Sequence, residues 1–341
     1  MQRSWRRWSR RLLSVSVYTT LLALALSTAP LWLPLGLLID LVRRTRFALV
    51  RVALFGVTYL AMEQLGVWAA VGLWLLHGGP FARPTPTWIA RHMALQRWWS
   101  GTLYRAATGL LRMTVEVEGE RDAEPGRGPQ LVLVRHAGFV DVLLPSAVIA
   151  NRHGIHLKFV FDRDLLWDPC MDIVGHRLGN LFVQRSSGRP EAQAERIGAM
   201  LASLGDREGI ALFPEGARYS RVLRERVLAS LERRGEHELL AFARSLHHTL
   251  PPVPGGVLAL LDRNDQADVL IFAHAGLDRY ERVARLLDGS AIGTTVRVKL
   301  WRISRGDIPV GTAARTAWLL DWWKRVDDWI GSAEAPADGG V

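Results

Sequence analysis

From Leu12 to Ile39 no charged residue appears, and from Val52 to Leu76 only Glu63 and Gln64 interrupt a second apolar run. Inside hydrocarbon every backbone amide needs an internal partner, so such runs are helical wherever lipid surrounds them. Each is long enough to reach across a bilayer core of ~30 Å. An ordinary soluble domain does not begin this way. Pro30 and Pro34 interrupt the first run and predict a bend, so that 12–42 dips into the membrane and returns without crossing it. A cleavable signal sequence is the alternative, because MQRSWRRWSRR is basic and STA precedes Pro30. The apolar stretch is, however, longer than the usual signal core of ~7–15 residues.

The formal net charge is +10, with Arg3, Arg6, Arg7, Arg10 and Arg11 at the N-terminus and Arg43, Arg44 and Arg46 between the apolar runs. Such a balance first suggests nucleic acid. Basic residues flanking apolar segments instead fit the cytoplasmic charge bias of membrane proteins and attraction to anionic lipid, at roughly 1 kcal/mol per charge. The expected partners are therefore membrane lipids and not nucleic acid. Cys170 is the single cysteine, which excludes an intrachain disulfide and a cysteine-based zinc site and fits a reducing compartment.

Composition divides the chain into a membrane-associated helical region over 1–79, a linker and amphipathic helix over 80–111, a globular domain over 112–330 and a disordered tail over 331–341. Within the globular part, 113–119, 130–134, 156–161, 180–184, 209–213, 269–276 and 295–302 have strand character. Pro190 opens a helix whose face is Ala194, Ile197, Leu201 and Leu204, and Gly205 stops it. The stretch 221–248 reads as a second, highly charged helical region, and 312–330 as a final helix rich in tryptophan. Strands alternating with helices predict an α/β fold: a mixed, mostly parallel sheet flanked by helices, with an N-terminal membrane-embedded helical segment.

Three predicted strands end in residues suited to chemistry. VRHAGFVD places His136 after 130–134 with Asp141 five positions on, a spacing at which a carboxylate can hold one ring nitrogen and leave the other as a proton acceptor. ALFPEGARYS ends a second strand in Pro214, Glu215, Gly216 and Arg218, where Gly216 allows close backbone approach. GNLFVQRSSGRP puts Arg185 beyond a third, among glycines. Parallel strands deliver their carboxyl ends to one crevice. No GxSxG elbow is present, so a serine hydrolase is unsupported. His247, His248, His153 and His156 lack carboxylate or cysteine company at ligand spacing and predict no metal. Lys158 and Arg163 read as solvated.

Together His136-x4-Asp141, Gly179 to Arg185, Phe213 to Arg218 and Leu250-Pro-Pro-Val-Pro-Gly-Gly256 resemble the four ordered blocks of the glycerolipid acyltransferases, the 1-acylglycerol-3-phosphate (lysophosphatidic acid) acyltransferase family. The resemblance covers roughly residues 110 to 330. Asp307-Ile-Pro309, followed by Trp318, Leu319, Trp323 and Lys324, is similar to the end of the eukaryote-like branch. The chain departs from the family pattern at Arg135 and Gly138, where Asn and Ser are usual. The resemblance implies His136 as general base toward a glycerol hydroxyl, Asp141 as its orienting partner, and no bound cofactor. Acyl-CoA or an acyl carrier protein would supply the acyl group. It further implies that Arg185 and Arg218 grip the acceptor phosphate, that Glu215 with Gly216 contacts its glycerol part, and that backbone at Pro254, Gly255 and Gly256 faces the developing oxyanion. The catalytic domain is expected to face the cytoplasm, where the donors are. Other lipid acceptors, such as an amino-acid lipid or a glycolipid, and a non-catalytic lipid-binding or membrane-remodelling protein, are the competing readings.

Overall fold

A computed structural model of the chain describes residues 2–124, 126, 128–138, 141–184, 190–264, 266–280 and 283–334. The chain opens with α1 (Gln2–Ser27), α2 (Ala29–Arg43), α3 (Ala48–Leu76) and α4 (Pro86–Leu111). There follow β1 (Thr114–Glu118), β2 (Gln130–Val134), a short α5 (Leu143–Pro145) that runs into a π-helical stretch (Ser146–Asn151), β3 (His156–Asp162), α6 (Pro169–Arg177), β4 (Leu181–Val183), α7 (Pro190–Ala199) and β5 (Glu208–Leu212). The last third supplies α8 (Arg221–Arg234), α9 (His237–Ser245), α10 (Pro254–Leu261), β6 (Asp268–Ala275), α11 (Val283–Leu286), β7 (Thr295–Ile303) and α12 (Thr312–Glu334).

The strands form one seven-stranded sheet in the order β1-β7-β6-β2-β5-β3-β4. Strand β2 is parallel to both β5 and β6, and β3 is parallel to β5, whereas β7 is antiparallel to β6. This is the mixed, mostly parallel α/β sheet flanked by helices that the alternating pattern predicts. Strand β2 is buried along its whole length, as expected for a parallel strand covered on both faces.

Two compact units are present: 1–114 with 161–184 and 282–294, and 115–160 with 185–281 and 295–341. In the first unit α1 and α2 meet at a bend of 69°. Pro30 sits in the first turn of α2, where its missing N–H removes no helical bond, so the break falls immediately before it and the helix runs on through Pro34. The outer faces of α1 and α2 are apolar and bare: Leu31 is 73% and Val42 74% exposed, with Leu12, Leu24, Leu35, Leu38 and Leu41 also outside. Among the described residues α3 is the one helix long and apolar enough by itself to cross a membrane.

Not all N-terminal arginines are available to lipid. Arg10 donates to Asp172 on α6 at 2.8 Å and Arg11 to the same carboxylate at 3.2 Å, tying α1 to α6. Glu63 of α3 is buried and accepts from Trp99 Nε1 on α4 and from the Cys170 N–H at the start of α6. A Cβ at Gly66 would lie 2.6 Å from Cys170 Sγ, so glycine lets α3 approach α6.

In the second unit α12 buries Leu319, Trp323, Val326 and Ile330, one stripe at helical spacing, while Trp322 and Trp329 pack beside Trp301 of β7. The buried Asp327 of α12 accepts the N–H groups of His247, His248 and Thr249 at 2.7 to 3.1 Å and so fixes the segment leading to Leu250. The charged helical region expected over 221–248 comprises two helices, because Gly235 ends α8 in the left-handed conformation at φ 69°. Of the expected tail, 335–341 lies outside the described residues.

Candidate active site

Strands β2 and β5 are neighbours in parallel register, with Leu133 opposite Leu212, so their carboxyl ends place His136 and Glu215 on the same edge. The Glu215 Oε1 accepts the N–H of His136 at 2.9 Å, and its Oε2 accepts the N–H of Leu250 at 2.9 Å. One buried carboxylate thus joins three segments that lie far apart in the chain. Further bonds complete the seam: Tyr219 N–H to His136 O at 2.7 Å and Val253 N–H to Pro214 O at 2.8 Å. Phe213 to Gly216 is a tight turn closed by Gly216 N–H to Phe213 O, with Gly216 at φ +66°, which explains the glycine after the acid.

The His136 imidazole lies against the Phe213 ring at 4.6 Å between centroids, with 19% of the side chain exposed. Its Nδ1 is 3.0 Å from Asp141 Oδ2. The same oxygen accepts the N–H groups of Ala137 at 2.5 Å and Gly138 at 2.6 Å. A proton on Nδ1 donated to this carboxylate leaves Nε2 with its lone pair. A Cβ at Gly138 would come within 2.8 Å of Asp141 Oδ1, so this departure from the family pattern fits the close wrap of 136–138 around the acid.

Sequence reasoning missed the floor beneath this pair. His274 of β6 is fully buried, with Nε2 3.5 Å from Asp141 Oδ1 and 3.2 Å from the Arg135 carbonyl oxygen. The parallel β2–β6 register, Val134 opposite Phe272, brings it level with His136. Arg135, also fully buried, donates to the carbonyls of His274 at 2.9 Å and His248 at 2.6 Å and forms an ion pair with Asp278. A lone polar residue inside VLIFAHAG is the one signal that could have pointed to His274.

The two carboxylates shift in opposite directions. Burial alone would raise both. At Asp141 the charge of His274 and the bond from His136 outweigh burial and hold the carboxyl well below its usual range. At Glu215 burial wins over Arg135 and the two backbone donors, and pushes the carboxyl up to about 8.

The remaining predicted positions fall as follows. Arg218 is half-buried in the turn after Gly216. Pro254, Gly255 and Gly256 form the first turn of α10; a Cβ at Gly255 would meet nothing within 4 Å, whereas one at Gly256 would press on Ile197 of α7. Arg185 lies outside the described residues. Lys158 is not solvated as expected: it is buried and donates to Glu208 at 3.0 Å, a carboxylate that His156 Nδ1 also meets at 2.9 Å. Arg163 donates to Gln184 at 3.1 Å.

Residues 114–253 match the family model described as Acyltransferase. Among solved structures, the crystal structure of PlsC, the 1-acyl-sn-glycerophosphate (LPA) acyltransferase from Thermotoga maritima, is similar at 14% identity and a TM-score of 0.48, over 84% of this chain and 100% of that one. No curated protein sequence matches the chain.

Proposed function

With residues 114–253 an acyltransferase-family domain, we propose that the protein is a membrane-associated O-acyltransferase that moves a fatty acyl chain from a thioester to the free hydroxyl of lysophosphatidic acid or a related lysophospholipid. The observation that carries this reading is the 3.0 Å approach of His136 Nδ1 to the buried Asp141, in a ring that keeps some exposure.

In the proposed reaction His136 Nε2 removes the acceptor hydroxyl proton as that oxygen attacks the thioester carbonyl carbon. The C–O bond forms, the C–S bond breaks, and the proton on His136 passes to the leaving thiolate, which regenerates the free base. Asp141 orients the ring and stabilises its charged form. The two substrates react directly, so holding them together is a large part of the catalysis. Arg218 and Arg185 are assigned to the acceptor phosphate, where a planar fork gives paired charge-assisted bonds. Glu215, whose oxygens already hold His136 and Leu250, is assigned to fixing the base and, with Gly216, the wall beside the acceptor's glycerol. The backbone at Pro254, Gly255 and Gly256 is assigned to the developing oxyanion.

The exposed apolar faces of α1 and α2 and their sharp bend support a hairpin held in one leaflet, with the catalytic domain on the cytoplasmic side where acyl-CoA or an acyl carrier protein is found. The test is to incubate the purified protein in membranes with labelled acyl-CoA, or acyl carrier protein, and a panel of lysolipids. Phosphatidic acid or a close relative is expected as product, and unchanged transfer by His136→Ala would end the assignment. Product from an amino-acid lipid or glycolipid alone would move the acceptor, and no transfer at all would favour a lipid-binding role.

A further inference from the structure

We propose that a cleft in the first unit, between the α2–α3 turn and the end of α4, is a binding site for the phosphate of an anionic phospholipid, separate from the acyl-transfer centre. The cleft encloses about 510 Å³ and is lined by Arg46, Phe47, Arg51, Arg112, Ile292 and Gly293. That volume lies in the range of ~300–1,000 Å³ typical of small-molecule sites.

Charge is the first argument. Among the described residues no carboxylate pairs with Arg46, Arg51 or Arg112, in contrast to Arg10 and Arg11, which share Asp172. Asp40, the acid that precedes the α2–α3 turn, is buried and already accepts from Thr45 Oγ1, Leu49 N–H and Val50 N–H. It therefore satisfies the start of α3, while Glu116 pairs with Arg297 and Asp288 lies near Arg285 and Arg43, so none of these acids forms an ion pair with Arg46, Arg51 or Arg112. Arg51 is held in place by donating to the Arg46 carbonyl through Nε and to the Leu110 carbonyl through Nη1, and its Nη2 has no protein partner among the described residues. A fixed fork loses less freedom on gripping an anion than a free one.

Backbone conformation is the second argument. The non-glycine residues with positive φ among those described are Arg44, Arg46, Phe47 and Arg112, at 52° to 62°, and three of them line the cleft. Arg44 and Arg112 cap α2 and α4 in the left-handed conformation that glycine adopts without penalty, so the chain places arginine where glycine is easier. Placement is the third. Leu38, Leu41 and Val42, all more than half exposed, lead directly into the turn, so lipid wetting the hairpin reaches the cleft at head-group depth. Phe47 and Ile292 offer an apolar wall beside the charges, which suits a lipid phosphodiester better than a free anion.

The test uses the full chain in phosphatidylcholine nanodiscs with and without phosphatidylglycerol, counting bound lipid by native mass spectrometry. No acyl donor is present, so the outcome is independent of the assignment at His136. Wild type is expected to retain phosphatidylglycerol over phosphatidylcholine. Arg46→Gln with Arg112→Gln is expected to weaken that retention about 30-fold, at roughly one membrane-surface charge's worth of affinity for each arginine. Arg46→Lys with Arg112→Lys is expected to fall between the two and to report on folding as well as charge. Equal retention in wild type and the glutamine pair, or no preference for phosphatidylglycerol, overturns the site. Displacement of the lipid by millimolar inorganic phosphate overturns the lipid assignment in favour of a free anion.

Discussion

The turns that end β2 and β5 each present one buried carboxylate, and the two are treated in opposite ways. Asp141 is wrapped by two histidines and two N–H groups and stays charged; Glu215 meets only backbone donors and a more distant arginine, and is driven toward neutrality. The first arrangement suits a group that must stabilise a positive ring during a reaction. The second suits a brace, because a carboxyl that accepts from two different segments holds them whether or not it is ionised. Similar burial therefore yields opposite shifts, decided by which groups surround each carboxyl.

Four changes test this contrast, the three on rate in descending order of effect. His136→Ala is expected to lower kcat about 10³-fold or more, with little change in KM, measured as acyl transfer to lysophosphatidic acid. Asp141→Asn keeps the shape but loses the charge that favours the protonated ring, and about a 10²-fold loss in kcat is expected without loss of fold by circular dichroism. If Asp141 were only another brace, Asn would be tolerated and the contrast would fail.

His274→Gln is expected to lower kcat by about tenfold, because the side chain 3.5 Å from Asp141 Oδ1 that helps to hold the carboxylate is altered. A loss of stability with unchanged kcat would make His274 part of the packing alone.

The fourth change is read on stability and not on rate. The folded Glu215 carboxyl, at about 8, lies above its unfolded value, so the proton it binds favours the native state. That contribution is complete below about pH 4 and disappears as pH rises through 8, by an amount on the order of a few kcal/mol. Wild type should therefore lose Tm between pH 5 and 9. Glu215→Gln should be less stable than wild type at pH 5, having one acceptor where two N–H groups need partners, but nearly flat over the same range. Parallel Tm curves would show that the carboxyl does not titrate there.

The same contrast shows what a reader of the sequence can and cannot see. The strands were legible because buried parallel strands read as continuous apolar runs, and β2 and β5 stand where QLVLV and GIALF predict them. The grouping of His136, Asp141, Glu215 and Gly216 at neighbouring strand ends was legible because the two short motifs each follow an apolar strand run. His274, Arg135 with Asp278, and Arg10 and Arg11 with Asp172 were not, because sheet register and helix packing bring together residues far apart in the chain, and no local pattern records that. The helical region expected over 221–248 is present, and its division at Gly235, where a left-handed backbone ends α8, is a break that composition alone does not place.

Cys170 sits under α3 with its thiol shielded from water and pushed well above its ordinary range by burial beside Glu63 and Asp168. Maleimides and spin labels react with thiolates, so the native chain is close to a blank background for them. A cysteine introduced on the bare face of α2, at Leu31 for instance, can carry a nitroxide without first mutating the native residue. Collision with oxygen or a nickel chelate would then show whether α2 enters the bilayer and, if it does, how deep in ångströms.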